Sequence, residues 1–522
     1  MEGTRARIRV LTAPPATERT THASRVFLIG DDVWKLKRPV DFGFLDFRTV
    51  EARRHFCEEE VRLNRRLAPG VYLGVEPVRA SERGPALGGD GPIVDWAVHM
   101  RRLPDAASAA AMLDAGRLSP DHLAALADKL AVFLRDAPAT PELGSPEALR
   151  ENLDENFAQV APFVGDVLDR ASFDDVRAFQ TAVLAGERER FAARVTGGKI
   201  RDGHGDLRLE HVYFLPPPDG VVAIDCIEFN RRFRCGDVAG EAAFFAMELE
   251  AARRPDLAAT FLARFAEASD DFGLYRLVDF YLSYRAWVRG KVAAFLSADA
   301  AVPAEVRARK RAEAQRDFGL ARSFSGTPLD RPFVVAVTGV VGSGKSTLAA
   351  GLGRELAAPV VASDRVRKAI AGLAGSERGD ASLYTPAAID RNYREVLSRA
   401  ADVLGSRRGV ILDATFSSHH FRQEAGALAR REGARFALIE IRCPDRAVLA
   451  ARLLERRRGG SVSDATDVDL DRLLSGYEAV DGSDPGPRIV ADGAAAPAAV
   501  LAAAVHDLER AGVTAARRRL AS

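Results

Sequence analysis

Along the first hundred residues, short apolar runs alternate with turn residues. Residues 26–29 and 33–36 are β-type runs joined by Gly30-Asp31-Asp32, which predicts a hairpin. Residues 50–67 carry apolar positions at helical spacing and stop before Pro69-Gly70. A second strand pair is expected around Gly88-Gly89-Asp90-Gly91, and residues 98–104 read as a strand entering a connector. From Asp105 to Arg194 the pattern turns helical and Ala/Leu-rich until Gly197-Gly198 breaks it. A compact hairpin follows, residues 212–215 and 221–224 around Pro216-Pro217-Pro218-Asp219-Gly220, and helices resume to Arg322. Residues 323–332 lose all periodicity and read as a linker. From Phe333 onward strands (FVVAVT, PVVAS, GVILDAT, FALIEIR) alternate with helices, the signature of a parallel α/β sheet. The Ala-rich stretch 494–505 is expected to be a helix.

At 522 residues the chain is too long for one ordinary core, and its 47% hydrophobic content supplies several. The division expected is 1–104, 105–325 and 326–522. Lys and Arg total 74 against 73 Asp and Glu, so the basic excess of a nucleic-acid coat or membrane-surface binder is missing. Cys57, Cys226, Cys235 and Cys443 have neither zinc nor disulfide-framework spacing. The first twenty residues lack an apolar h-region, and no apolar run is long enough to span a bilayer. The expectation is a cytoplasmic protein without a membrane partner.

The strongest motif is Gly339-Val340-Val341-Gly342-Ser343-Gly344-Lys345-Ser346-Thr347, a G-x-x-x-x-G-K-[ST] sequence between an apolar strand and an amphipathic helix. Its backbone N–H groups would curl around phosphate oxygens at a helix N-terminus. Lys345 would bridge the β- and γ-phosphates of ATP, and Ser346 would ligate Mg²⁺. Asp364 and Arg367 follow the next strand at its C-terminal end, where ligands of such sheets bind. Asp364 could accept a proton from a substrate hydroxyl while Arg367 holds the substrate. A helix N-cap is the other reading of Asp364. Asp413, ending a further strand, would act on the Mg²⁺ shell. Arg452 and Arg456 share a helix face, with Arg457 and Arg458 behind them, and could close over the phosphates; a solvated basic face is the alternative. These segments resemble the small P-loop kinases that phosphorylate hydroxyls: gluconate kinases, zeta-toxin-like and antibiotic-modifying kinases, and the 5′-kinase module of polynucleotide kinase.

A second cluster is His204-Gly205-Asp206-Leu207-Arg208-Leu209-Glu210-His211, followed by the hairpin and Ile224-Asp225. The hairpin returns Asp206 and Asp225 to one end, where one carboxylate could orient a hydroxyl and the other hold Mg²⁺. Lys35 and Lys37 alternate with Leu36 and therefore share a strand face. The motifs resemble the aminoglycoside phosphotransferase and choline-kinase-like fold, related to protein kinases. The resemblance implies that Asp206 is the base, Asp225 a metal ligand, and Lys35, or else Lys37, the lysine on the α/β-phosphates. Glu59 or Glu60 is then its ion-pair partner, and Gly236-Asp237 a brace. His211 stands where that family carries an Asn metal ligand, a departure, and no phosphate-covering glycine loop precedes Lys35.

The fold expected is thus an α+β bilobal kinase-like domain followed by an α/β P-loop domain with a mainly parallel sheet. The expected activity is ATP- and Mg²⁺-dependent transfer of phosphate to a hydroxyl of a small molecule, a sugar or related metabolite. Arg285 and Arg289, one helical turn apart among aromatic residues, are candidate substrate contacts, or else snorkelling arginines of a buried helix. Three other readings stay open: one live P-loop kinase beside a pseudokinase-like sensor, a nucleic-acid 5′-end kinase, and a nucleotide-gated switch or scaffold.

Overall fold

The computed structural model describes residues 9–10, 17–21, 23–41, 43, 45–326, 328–329, 331–373, 377, 379–443, 445–459 and 474–514. The chain divides into two compact units, Met1–Asn152 with Arg188–Glu248, and Leu153–Glu187 with Leu249–Ser522.

The first unit is built on a seven-stranded antiparallel sheet. Its order is Arg9–Val10, Ala86–Leu87, Tyr72–Arg79, Ile93–Arg101, Asp32–Lys37, Ser24–Ile29, Thr17–Thr20. The predicted hairpin forms with Ile29 opposite Asp32, and Gly30 supplies the positive φ (63°) that so tight a turn requires. Strands form on both sides of the Gly88–Gly91 loop, but each pairs with Tyr72–Arg79 and not with the other. Helix Val50–Asn64 is capped by Thr49, whose side chain accepts the Ala52 N–H, and packs on the sheet through Cys57 and Val61. The hairpin Val212–Phe214/Val221–Ala223 is present as expected. A second small ladder, Ile200–Asp202 with Cys235–Asp237, gave no signal because each strand has only three residues. Asp237 braces the unit by a buried bidentate pair with Arg194 (2.6 and 2.7 Å).

In the second unit, helices Val278–Ala298 and Ala304–Ser323 pack closely because Gly290 leaves room for the Phe318 ring, which a Cβ there would meet at 2.8 Å. Trp287 fills that core between Phe157, Phe173 and Phe318. The same unit holds a five-stranded, wholly parallel sheet in the order Val360–Ala362, Val410–Asp413, Phe333–Thr338, Arg435–Arg442, Arg488–Asp492. The central strand is apolar on both faces, as a strand covered by helices must be. Helices Lys345–Glu355 and Pro497–Arg510 pack onto it through Leu348, Leu352, Ala504 and Leu508. All four cysteines are free and buried. No helix among the described residues is long and apolar enough to cross a membrane.

Candidate functional site

Two constellations stand in the chain, one in each unit. In the second, Phe333–Thr338 ends at the glycine-rich loop and helix Lys345–Glu355 begins just beyond it. Gly339 has φ 146°, and a Cβ there would lie 2.6 Å from the Ile441 carbonyl oxygen. Gly344 caps the helix at φ 105°. No other residue type takes up either position without strain. Lys345 Nζ donates to the Val340 carbonyl at 2.8 Å, folding over its own loop. Ser346 and Thr347 are exposed in the first turn, while Ser343 is buried. A cleft of about 290 Å³ opens beside the loop, lined by Ser343, Gly344, Thr347, Arg452, Glu455 and Val500. Arg452 reaches toward the Gly342 and Ser343 carbonyls at 3.4 and 3.5 Å. The side chains of Arg456, Arg457 and Arg458 lie outside the described residues.

The neighbouring strands complete a row. Asp413 ends its strand level with Val337 and Ala362 and is buried. Asp364 sits one residue inside helix Ser363–Ile370, whose N-cap is Ala362, so the N-cap reading of Asp364 does not hold. Its Oδ1 accepts from Arg367 at 2.6 Å, and Oδ2 has no protein partner among the described residues. The Arg367 guanidinium lies 4.7 Å from the ring centroid of Tyr384, a residue the sequence gave no reason to single out. Burial opposes the charge on Arg367, yet Asp364 and Tyr384 hold it above the usual arginine range. Ser346 and Asp413 offer oxygen donors, the set Mg²⁺ prefers, so these residues fit that ion.

In the first unit the charges converge on one another. Lys35 Nζ lies 2.9 Å from Glu60 and 2.5 Å from Asp225 Oδ1. Lys37, almost wholly buried, pairs with Glu60 at 2.8 Å and with Glu228. Geometry separates the alternatives in each pair. Glu60 is the helix partner, while Glu59 faces outward to Arg62 at 2.7 Å. Lys35 is the more accessible lysine (17% against 1%), so Lys37 is corrected to an internal charge. Burial would raise the Asp225 carboxyl, but Lys35 and then His211 hold it far below the carboxylate range. Burial would lower Lys35, yet Asp225 and Glu60 keep it well above the lysine range.

His211 Nδ1 lies 2.9 Å from the Asp206 carbonyl oxygen and 3.5 Å from Asp206 Oδ2; its Nε2 is 3.6 Å from Asp225 Oδ2. Both carboxylate oxygens of Asp225 therefore already face nitrogens. An imidazole and an ammonium around the expected ligand do not make an oxygen cage, and this donor set does not fit Mg²⁺. Asp225 takes φ 65°, and its N–H donates to the Tyr72 hydroxyl at 3.1 Å. His204 is buried, with Nε2 2.9 Å from the Ile224 carbonyl oxygen and Nδ1 accepting the Asp206 N–H at 3.3 Å, and burial followed by nearby His211 lowers its pKa to about 4. Tyr72 and Glu228 were missed because their roles depend on long-range packing and carry no local motif. The connection before Ser24–Ile29 is Thr21-His22-Ala23, without glycine, closed by Thr21 N–H to the Ser24 carbonyl at 2.8 Å.

Of the candidate substrate arginines, Arg289 is paired with Glu313 on the adjacent helix at 3.2 Å and so serves helix packing, and Arg285 is half-buried on the same helix.

Comparison with known proteins places these sites in context. Residues 334–480 match the family model described as an AAA domain. A gluconokinase from Sinorhizobium meliloti is 22% identical, with 34% of this chain and 93% of that chain covered at a TM-score of 0.25. A choline/ethanolamine kinase family protein from Mesorhizobium loti is 13% identical, with 60% and 93% covered at a TM-score of 0.35. Likenesses at such scores carry no weight for ligand or acceptor. The uncharacterized protein Rv2004c of Mycobacterium tuberculosis is 35% identical over 461 residues, 86% of this chain and 87% of the relative. By that extent of shared sequence, the chain belongs to the same family as this mycobacterial protein.

Proposed function

We propose that the P-loop part of the second unit transfers the γ-phosphoryl group of ATP to a hydroxyl of a small molecule, and that the first unit is a kinase-like domain without equivalent turnover. The observation that carries the reading is the row at the strand ends: Lys345 beside the glycine loop, Asp413 on the next strand, and the Asp364–Arg367 pair in the helix that follows the strand after that. In the transfer, the bond from the γ-phosphorus to the bridging β-oxygen breaks and one to the acceptor oxygen forms. The acceptor proton passes to Asp364, whose Oδ2 is open while Arg367 holds Oδ1. Lys345 neutralises phosphate charge, and Ser346 and Asp413 would hold Mg²⁺, which supplies charge neutralisation at the phosphates when bound. The exposed Tyr384 face beside Arg367 favours a ring-bearing or anionic acceptor such as a sugar or sugar acid. His211 opposite Asp225 favours a pseudokinase-like domain over a second kinase in the first unit.

The test is transfer of γ-labelled phosphate from ATP into a metabolite extract by wild type, Lys345→Ala, Asp364→Ala and Asp206→Ala. The expected outcome is a labelled small molecule that disappears with Lys345→Ala and Asp364→Ala and persists with Asp206→Ala. A product lost only in Asp206→Ala would move the chemistry to the first unit. Label appearing on added 5′-hydroxyl oligonucleotides instead would make the protein a nucleic-acid end kinase, and ATP binding with no labelled acceptor of either kind would leave the switch reading.

A further inference from the structure

The segment from Glu267 to Asp279 precedes the linker, yet three of its carboxylates reach the parallel-sheet part of the second unit. Glu267, near the end of helix Pro255–Ser269, accepts the Val360 backbone N–H on Oε1 at 3.0 Å. Asp270, at the left-handed C-cap of that helix, pairs with Arg399. Asp279, in the first turn of helix Val278–Ala298, receives both terminal nitrogens of Arg408 at 2.9 and 2.8 Å. Arg276 lies against Gly405, where any Cβ would collide with its guanidinium.

Val360 opens the outermost strand of the sheet, which has a single neighbour, Val410–Asp413. An outer strand presents backbone groups with no ladder partner, and proteins cover or blunt such edges. Here the cover is a partly buried carboxylate: burial pushes the Glu267 carboxyl up, and the Val360 N–H bond opposes that rise. A hydrogen bond to a charged acceptor is roughly twice as strong as a neutral one. The strand is only three residues long and runs directly into helix Ser363–Ile370, which carries Asp364 and Arg367. A strand this short has few bonds of its own, so an anchor at its first residue sets where its last one points.

We infer that Glu267 is a positioning residue for the Asp364–Arg367 pair, and that helices lying before the linker are a built-in part of the P-loop phosphotransfer site. The anchoring stands on the geometry; its catalytic consequence rests on the kinase reading. The test is hydrogen exchange on the full chain, comparing wild type, Glu267→Gln and Glu267→Ala over residues 360–367 and, as an internal reference, the loop 339–347. Glu267→Ala is expected to speed exchange at 360–367 about tenfold or more with the loop unchanged, the scale of losing one charge-assisted hydrogen bond. Glu267→Gln keeps an oxygen acceptor without the charge and is expected to fall between wild type and Glu267→Ala. Glu267→Leu, which fills the space without an acceptor, repeats the test where Ala leaves a void. With an acceptor in hand, Glu267→Leu is expected to raise its KM about tenfold while the KM for ATP stays unchanged. Unaltered exchange at 360–367, or an equal rise in every peptide of the unit, overturns the inference. A rise confined to 360–367 in a protein that labels no acceptor upholds the anchoring and removes the kinase reading instead.

Discussion

Lys35 and Lys345 stand at the two candidate phosphate sites, and their surroundings differ in kind. Lys345 donates to a backbone carbonyl of its own loop, Val340, with exposed Ser346 and Thr347 beside it and an open cleft next to the loop. Lys35 is wedged between Glu60 and Asp225, with Lys37, Glu228 and His211 closing the circle. The first arrangement sets the lysine on a glycine loop beside an open cleft. The second is already neutralised by its own side chains, and a phosphate entering it must displace a buried ion pair. The same residue type therefore does different work: one lysine waits for a ligand, the other holds a domain together.

The comparison can be broken most directly by removing each lysine. Lys35→Ala takes the ammonium from Asp225 and leaves Glu60 with Lys37 alone; a fully buried pair costs about 3–5 kcal/mol to break, and this partly exposed one about 2–3 kcal/mol. Urea unfolding of the first unit is expected to register a loss of that size. Lys345→Ala is expected to change unfolding by less, about 1 kcal/mol, because its hydrogen bond to Val340 lies within a surface loop, while abolishing phosphate transfer. Equal stability losses would erase the distinction.

A smaller effect follows from His204. Its folded pKa of about 4 lies below the usual 6.5, so the unfolded chain binds a proton more readily than the folded one between those values. Stability is fully present above pH ~6.5 and falls as the pH drops toward 4, by on the order of 3 kcal/mol in all. Unfolding free energies of the first unit at pH 7 and pH 5 are expected to differ by roughly 2 kcal/mol, and the His204→Asn variant should lose that slope. The smallest and sharpest effect is His211→Asn, which replaces a ring nitrogen facing Asp225 with an amide oxygen donor. Mg²⁺-dependent protection of the first unit by ATP, measured as a Tm shift of a few degrees in a Lys345→Ala background, is expected in this variant and not with His211 in place.

Much of this was legible in the sequence because it is local. The glycine loop, the strand before it and the helix after it occupy consecutive residues, and the hairpin turn at Gly30 announces itself. The alternation after Phe333 declared a parallel sheet, although strand Arg488–Asp492 went unread, its five residues lying far from any motif. Where the charges of the first unit meet was only half legible. Three consecutive glutamates, Glu58 to Glu60, left the helix register open, and only the packing of Cys57 and Val61 against the sheet turns Glu60 inward. Glu228 on Lys37 and Glu267 on Val360 join residues 191 and 93 positions apart, and no pattern along a chain encodes a meeting of that kind.

The anchored outer strand has an evolutionary reading. Residues 323–332 look like a joint at which an ancestral fusion could be undone by recombination. A cut there would leave Val360 without Glu267, Arg399 without Asp270 and Arg408 without Asp279. A descendant gene carrying only the later segment would inherit a bare sheet edge and an Arg408 without its carboxylate, a product prone to sticking to copies of itself. Lineages that separate the halves would have to rebuild that border first, so the fusion behaves as a one-way step.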